Sequence, residues 1–207
     1  MIVRDNEISK WVLDEITLKN DFAVGIAKLL SDLTSFAQLW LLIMLGIIIL
    51  NIIKNKKVDV YFIISLIPVF LIWLISDNYI KPEVERIRPY QTYEFSAFAT
   101  VMEAINYEFD DNFSFPSGHT LVSFSCAYLI SKQFKKSAPY MYVLAALIGF
   151  SRIILGSHYF SDVLAGACLG FVGGIIGDLL SHKLSPLINE KINKLIFKEK
   201  VINNETR

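Results

Sequence analysis

Apolar residues in this chain come in long runs broken by short polar stretches, not at amphipathic spacing. Runs at residues 34–53, 60–76, 117–134, 138–155 and 163–180 each approach the roughly 20 residues that cross a hydrocarbon core about 30 Å thick. Five membrane-spanning helices are predicted. Pro68 falls inside the second run and predicts a kink that neighbouring helices accommodate. Residues 1–33 alternate polar and apolar instead. Ile8, Trp11, Val12 and Ile16 share one helical face, and Phe22, Ile26, Leu29, Leu30 and Leu33 suggest another, which predicts interfacial helices lying on the bilayer. Residues 77–116 read as a long polar loop with scattered aromatics. The expected fold class is all-α: a polytopic membrane helix bundle with an interfacial segment at 1–33, a spanning domain at 34–181 and a charged tail at 182–207.

Composition agrees, with 54% hydrophobic residues and a mean hydropathy of +0.47. The formal charge of zero offers no global argument for nucleic acid or an acidic partner. Cys126 and Cys168 sit inside apolar runs and read as small buried hydrophobes. With no CxxC and no Cys/His cluster, nothing suggests zinc. Ten charged groups in the first 33 residues do not fit a cleaved signal peptide.

Loop charges orient the bundle. Lys54, Lys56 and Lys57 join spans one and two; Lys132, Lys135 and Lys136 join spans three and four; the tail adds Lys183, Lys191, Lys194, Lys198, Lys200 and Arg207. By the positive-inside rule these are cytoplasmic. The 81–115 loop, with three Lys/Arg against seven Asp/Glu, faces outward, as does the N-terminal segment. Gly166, Gly170 and Gly174, with Gly173 and Gly177, form a small-residue stripe on the fifth span. Such a stripe serves close packing within the monomer or, as the sharper alternative, a homodimer contact.

Three polar blocks interrupt the greasy pattern: residues 81–89 (KPEVERIRP), 116–119 (PSGH) and 151–162 (SRIILGSHYFSD). The charge pattern puts all three on the outer side. Lys81, Arg88 and Arg152 supply cations for a phosphate; arginine binds oxygens in a fork and lysine acts as a point charge. Pro116 to His119 open a helix whose first amides, with the Ser117 hydroxyl, point at an anion, while Gly118 lets the backbone come close. Asp162 follows His158 by four residues. A hydrogen bond from this carboxylate to one ring nitrogen would leave the other nitrogen to attack phosphorus. His119, on another block, would protonate the leaving oxygen and then activate water.

Each piece alone has a plainer use. A lone Arg or Lys at a membrane end snorkels to headgroups, PSGH is a helix start, and a His and Asp four apart can be a cap. Their conjunction on one face favours a site. His182, beside Asp178 and Lys183 at the cytoplasmic end, reads as an interfacial residue. Glu83, Glu85, Asp110 and Asp111 read as a solvated outer loop before a Mg²⁺ site, and with cations in place no metal or other cofactor is expected.

The blocks resemble the three signatures of the type 2 phosphatidic acid phosphatase superfamily: K-x6-RP, PSGH and SR-x5-H-x3-D. Lys81, Arg88 and Pro89; Pro116, Ser117, Gly118 and His119; and Ser151, Arg152, His158 and Asp162 match all eleven specified positions in order and spacing. The resemblance covers about residues 34–181. It implies His158 as nucleophile, Asp162 as its partner and His119 as acid/base, with Lys81, Arg88, Ser117, Gly118 and Arg152 binding phosphate. The short chain, five spans and outward site look most like bacterial undecaprenyl pyrophosphate phosphatases, which act without a metal on a lipid in the bilayer. Residues 90–115 match no signature. The runner-up substrates are phosphatidylglycerophosphate, phosphatidic acid and a lipid A phosphate. A reading of another class is a lipid-phosphate binder or flippase without turnover. A vanadium haloperoxidase would share the cluster, but five spans argue against it.

Overall fold

The computed structural model describes residues 2–92, 96–108 and 112–205, and all regular structure within them is helical. Ten α-helices follow one another among these residues: α1 Ile2–Val12, α2 Asp21–Thr34, α3 Gln38–Asn55, α4 Tyr61–Ile75, α5 Lys81–Val84, α6 Pro89–Thr92, α7 Ser96–Ala104, α8 Gly118–Gln133, α9 Ala138–Ile154 and α10 Phe160–Glu205. Among the described residues four helices are long and apolar enough to cross a membrane: Gln38–Asn55, Tyr61–Thr92, Lys135–Ile154 and Phe160–Ile196. The remaining predicted span, α8, has 16 residues, about 24 Å at 1.5 Å per residue. It lies at the centre, packed by α4, α9 and α10, and Leu121, Cys126, Ala127, Leu129 and Ile130 are buried. A helix enclosed by others need not match the bilayer's thickness on its own. Large apolar side chains such as Leu42, Leu50 and Ile53 on α3 stay exposed, as lipid-facing residues do where lipid is as apolar as leucine.

The glycine stripe is consumed inside the chain. A Cβ on Gly166 would come within 2.5 Å of the Ser117 carbonyl oxygen, one on Gly170 within 2.5 Å of that of Leu121, and one on Gly177 within 2.3 Å of that of Ser65. Side chains there would push α10 off α8 and α4, so a second copy would find this face already occupied.

Two regions depart from the expected pattern. The supposed loop after α4 is largely helical: a π turn at Ser76–Ile80 leads into α5, and α6 and α7 follow. Phe98 and Met102 on α7 are buried against Val12, Leu13, Val24, Ala27 and Ile153 to Leu155. Scattered aromatics in a polar stretch thus mark a second small core. The tail is no separate element either, since α10 runs 46 residues. Its Asn189 and Asn193 carboxamides accept the Val60 and Val58 amides at 3.0 and 2.8 Å, tying it to the connection between α3 and α4. In the N-terminal segment, Asn20 caps α2 by accepting the Ala23 amide at 3.0 Å. That helix buries its small face, Val24, Ala27, Ser31 and Thr34, and leaves Phe22, Ile26, Leu29 and Leu33 exposed. It packs on α9. The apolar face that periodicity identified points away from the protein.

Candidate active site

The helix ends gather the three blocks at one end of the bundle. The Ser117 amide donates to the Asp162 carbonyl at 3.1 Å, joining the starts of α8 and α10. Ser117 also caps α8, its hydroxyl accepting from the Thr120 amide at 3.4 Å and the Thr120 hydroxyl at 2.9 Å. First-turn amides have no intrahelical acceptor. Between the two already engaged lie those of Gly118 and His119.

His158 is 2% exposed. Its Nδ1 lies 2.7 Å from the Ser114 carbonyl oxygen, so that nitrogen carries the proton and donates it. The Asp162 Oδ2 stands 3.6 Å from Nδ1, ion-pair distance rather than a hydrogen bond. The ring is therefore held by a main-chain carbonyl, with the carboxylate behind it. The other nitrogen, Nε2, faces Arg88 Nη1 at 3.5 Å. His119 Nε2 is buried with no hydrogen-bond partner among the described residues, and the charges of Arg152, Arg88 and Lys81 all bear on its ring.

The cations are held through their charged heads. Arg88, 1% exposed, donates from Nε to the Asn112 carbonyl at 2.7 Å, from Nη1 to the Ser157 carbonyl at 2.8 Å, and from Nη2 to the Asn112 side-chain oxygen and the Phe113 carbonyl. Lys81 pairs with Asp77 at 2.6 Å. Arg152 donates to the Ser31 hydroxyl of α2 and lies 6.0 Å from the Tyr107 ring centroid. Gly156, at φ +63, makes the turn between α9 and His158; a Cβ there would strike the Phe98 ring at 2.7 Å. All eight candidate residues thus lie in or beside one cluster.

Sequence reasoning missed four contributors. Arg86 reads in the sequence as one more loop charge, yet its guanidinium donates to Asp162, Ser161 and Asp5. Residues 85–88 are non-helical, and residues two apart on extended chain share a side, so the spacing carries no signal that Arg86 turns to Asp162 while Arg88 serves the cluster. Ser31 and Asp5 sit in helices assigned only to the bilayer, and the Ser114 contact is main chain, which no side-chain pattern encodes. His182 lies at the far end, 3.2 Å from Asp178. Glu83 and Glu85 are exposed, and Asp110 and Asp111 lie outside the described residues.

A family model described as the PAP2 superfamily matches residues 41–184. The chain belongs to the PAP2 superfamily. The bacitracin transport permease protein BcrC of Bacillus licheniformis is 36% identical over 116 residues, 54% of this chain and 56% of that protein. The lipid A 1-phosphatase of Porphyromonas gingivalis is 39% identical over 72 residues, 33% of this chain and 16% of that protein. Its matches thus span little more than half of BcrC's length and much less of the phosphatase's. The crystal structure of a transmembrane PAP2-type phosphatidylglycerolphosphate phosphatase from Bacillus subtilis superposes with a TM-score of 0.65 at 23% identity, covering 88% of this chain and 86% of that one. This PAP2 chain therefore has the fold of that membrane phosphatase, and it is a multi-pass membrane protein.

Proposed function

We propose that this PAP2 protein is a membrane lipid phosphatase that removes the terminal phosphate of a lipid pyrophosphate through a phosphohistidine. The observation that carries the reading is the posture of His158: Nδ1 is tied to the Ser114 carbonyl, and Nε2 is turned to Arg88. The Nε2 lone pair attacks phosphorus, an N–P bond forms, and the P–O bond to the lipid phosphate breaks. His119 gives its proton to the departing oxygen. Water, deprotonated by His119, then breaks the N–P bond, and inorganic phosphate leaves. Acid–base help of this kind contributes about 10²–10⁴-fold. Arg88, Arg152, Lys81 and the Gly118 and His119 amides meet the charge on the phosphoryl oxygens, and the Ser117 hydroxyl stands with them. These cations carry the role a metal would otherwise fill, so turnover proceeds with EDTA present.

Undecaprenyl pyrophosphate is the proposed substrate, on the likeness of its signatures to bacterial carrier-lipid phosphatases. The site then faces outward and the lysine-rich connections and C-terminus face the cytoplasm, because moving lysines across the bilayer is opposed during insertion. Relatives named for lipid A and phosphatidylglycerolphosphate keep those monoesters as runner-up substrates. A relative named as a transport permease favours a second reading, a lipid-phosphate binder or flippase without turnover. Phosphate release by the purified protein across undecaprenyl pyrophosphate, phosphatidylglycerophosphate, phosphatidic acid and lipid A, with EDTA present, separates these. Fastest release from the pyrophosphate upholds the proposal; binding without release upholds the second reading.

A further inference from the structure

The N-terminal helix reaches the catalytic cluster through one arginine. Arg86 Nη1 donates to Asp162 Oδ1 and to the Ser161 hydroxyl, each at 2.6 Å, and its Nη2 donates to Asp5 Oδ2 at 2.7 Å. The guanidinium lies 3.9 Å over the Tyr159 ring. Asp5, 156 positions from Ser161, accepts the Ser161 amide at 3.0 Å and its hydroxyl as well, capping α10 from a distant segment. Asp162 Oδ2 accepts the Tyr159 amide at 2.8 Å. Asp5 and Asp162 are 5% and 0% exposed, so this is a nearly dry chain of charges: anion, cation, anion, imidazole.

Resting on the reading of His158 as nucleophile, we propose that Asp5 and Arg86 are positioning residues for catalysis: Asp5 holds Arg86, and Arg86 holds Asp162 behind the His158 ring. Asp162 is close enough to Nδ1 to act on it but is not hydrogen-bonded to it, so its placement must come from elsewhere. Arg86 supplies the cation that keeps a fully buried carboxylate compensated, and Asp5 fixes where that cation sits. Although burial pushes the Asp5 carboxyl up, hydrogen bonds from Ser161 and Arg86 outweigh this and hold it below its ordinary value. Asp5 is therefore charged at neutral pH, as its ion pair with Arg86 requires. Arg86 faces Asp162 rather than the cluster of Arg88, His119 and Arg152, so its loss acts on turnover, not on phosphate binding.

The test uses the full chain in detergent with farnesyl pyrophosphate as probe, comparing wild type, Arg86→Gln, Arg86→Lys, Asp5→Asn and the Asp5→Asn/Arg86→Gln double variant. Active sites are counted by the burst of farnesyl phosphate, the product that leaves as the phosphohistidine forms. Expected are a kcat about 10- to 100-fold lower in Arg86→Gln with KM within about threefold, on the scale of a misplaced catalytic group. Partial recovery is expected in Arg86→Lys, a smaller loss in Asp5→Asn, and a double variant no worse than Arg86→Gln. In NMR the downfield His158 Nδ1 proton, assigned by its loss in His158→Ala, should broaden in Arg86→Gln. Wild-type kcat per active site with an intact Nδ1 signal, or a change confined to KM, would overturn the proposal. Should Arg86→Gln not fold, Asp5→Asn decides by the same readouts. A wild type that releases no phosphate defeats the phosphatase reading instead, and the Nδ1 signal, which needs no turnover, still decides the relay.

Discussion

His158 donates its Nδ1 proton to the main-chain carbonyl of Ser114 across 2.7 Å. The ring tautomer is thereby fixed by backbone, and Asp162 at 3.6 Å adds charge rather than the orienting bond. In a triad whose carboxylate alone sets the tautomer, its amide variant loses about 10⁴-fold. Here Asp162→Asn should lose less, about 10- to 10³-fold, while His158→Ala loses all measurable turnover. Rates from the two variants measured side by side check this. An Asp162→Asn as inactive as His158→Ala would mean the carboxylate, not Ser114, sets the ring.

Ser31 anchors Arg152 from α2. Removing a hydroxyl that positions a phosphate-binding arginine should weaken binding more than chemistry. Ser31→Ala should raise KM about threefold or more with kcat within about twofold, read from initial rates on the same lipid. Unchanged KM would leave the N-terminal helices no part in binding phosphate.

How far the sequence revealed this site follows from what kind of contact each residue makes. Lys81, Arg88, His119, Arg152, His158 and Asp162 sit in short blocks at helix ends, where charge in an apolar pattern is costly and therefore conspicuous. Arg86 was hidden by its neighbour Arg88, and Asp5 by the ten charges of an amphipathic segment. Their meeting depends on α1 docking beside α10, a tertiary fact with no local signature. In the fold, the apolar runs located the starts of the four spans and both ends of the enclosed α8 to within a few residues, but not where α10 ends. The helices between α4 and α8 escaped because Phe98 and Met102 are apolar islands in a polar stretch.

Asp5 gives the account a pH dependence. Its folded pKa is depressed, with burial opposing and the bonds from Ser161 and Arg86 prevailing. Such a group stabilises fully above its unfolded value and loses that contribution as pH falls through the lower folded value. Wild type should therefore melt higher than Asp5→Asn at pH 6, and the gap should close below the ordinary 3.8. Thermal melts from pH 6 to 3 measure it; a gap that widens with acid would contradict the sign.

Sidedness can be read by labelling. In a Cys126→Ser, Cys168→Ser background, a cysteine at exposed Glu83 should react with a membrane-impermeant maleimide in intact cells. One at exposed Asn55 should react only after permeabilisation. The reverse pattern would place the site in the cytoplasm and remove the carrier-recycling role, leaving the chemistry standing.

The central claim is that phosphate passes through His158. Wild-type protein mixed with radiolabelled undecaprenyl pyrophosphate in EDTA and quenched within milliseconds should carry label that survives alkali, is lost in acid, and maps to the peptide holding His158. The account predicts that signal in wild type, its accumulation in His119→Ala, where hydrolysis of the intermediate is slowed, and its absence in His158→Ala. Turnover in His158→Ala, or label on any other residue, would contradict it.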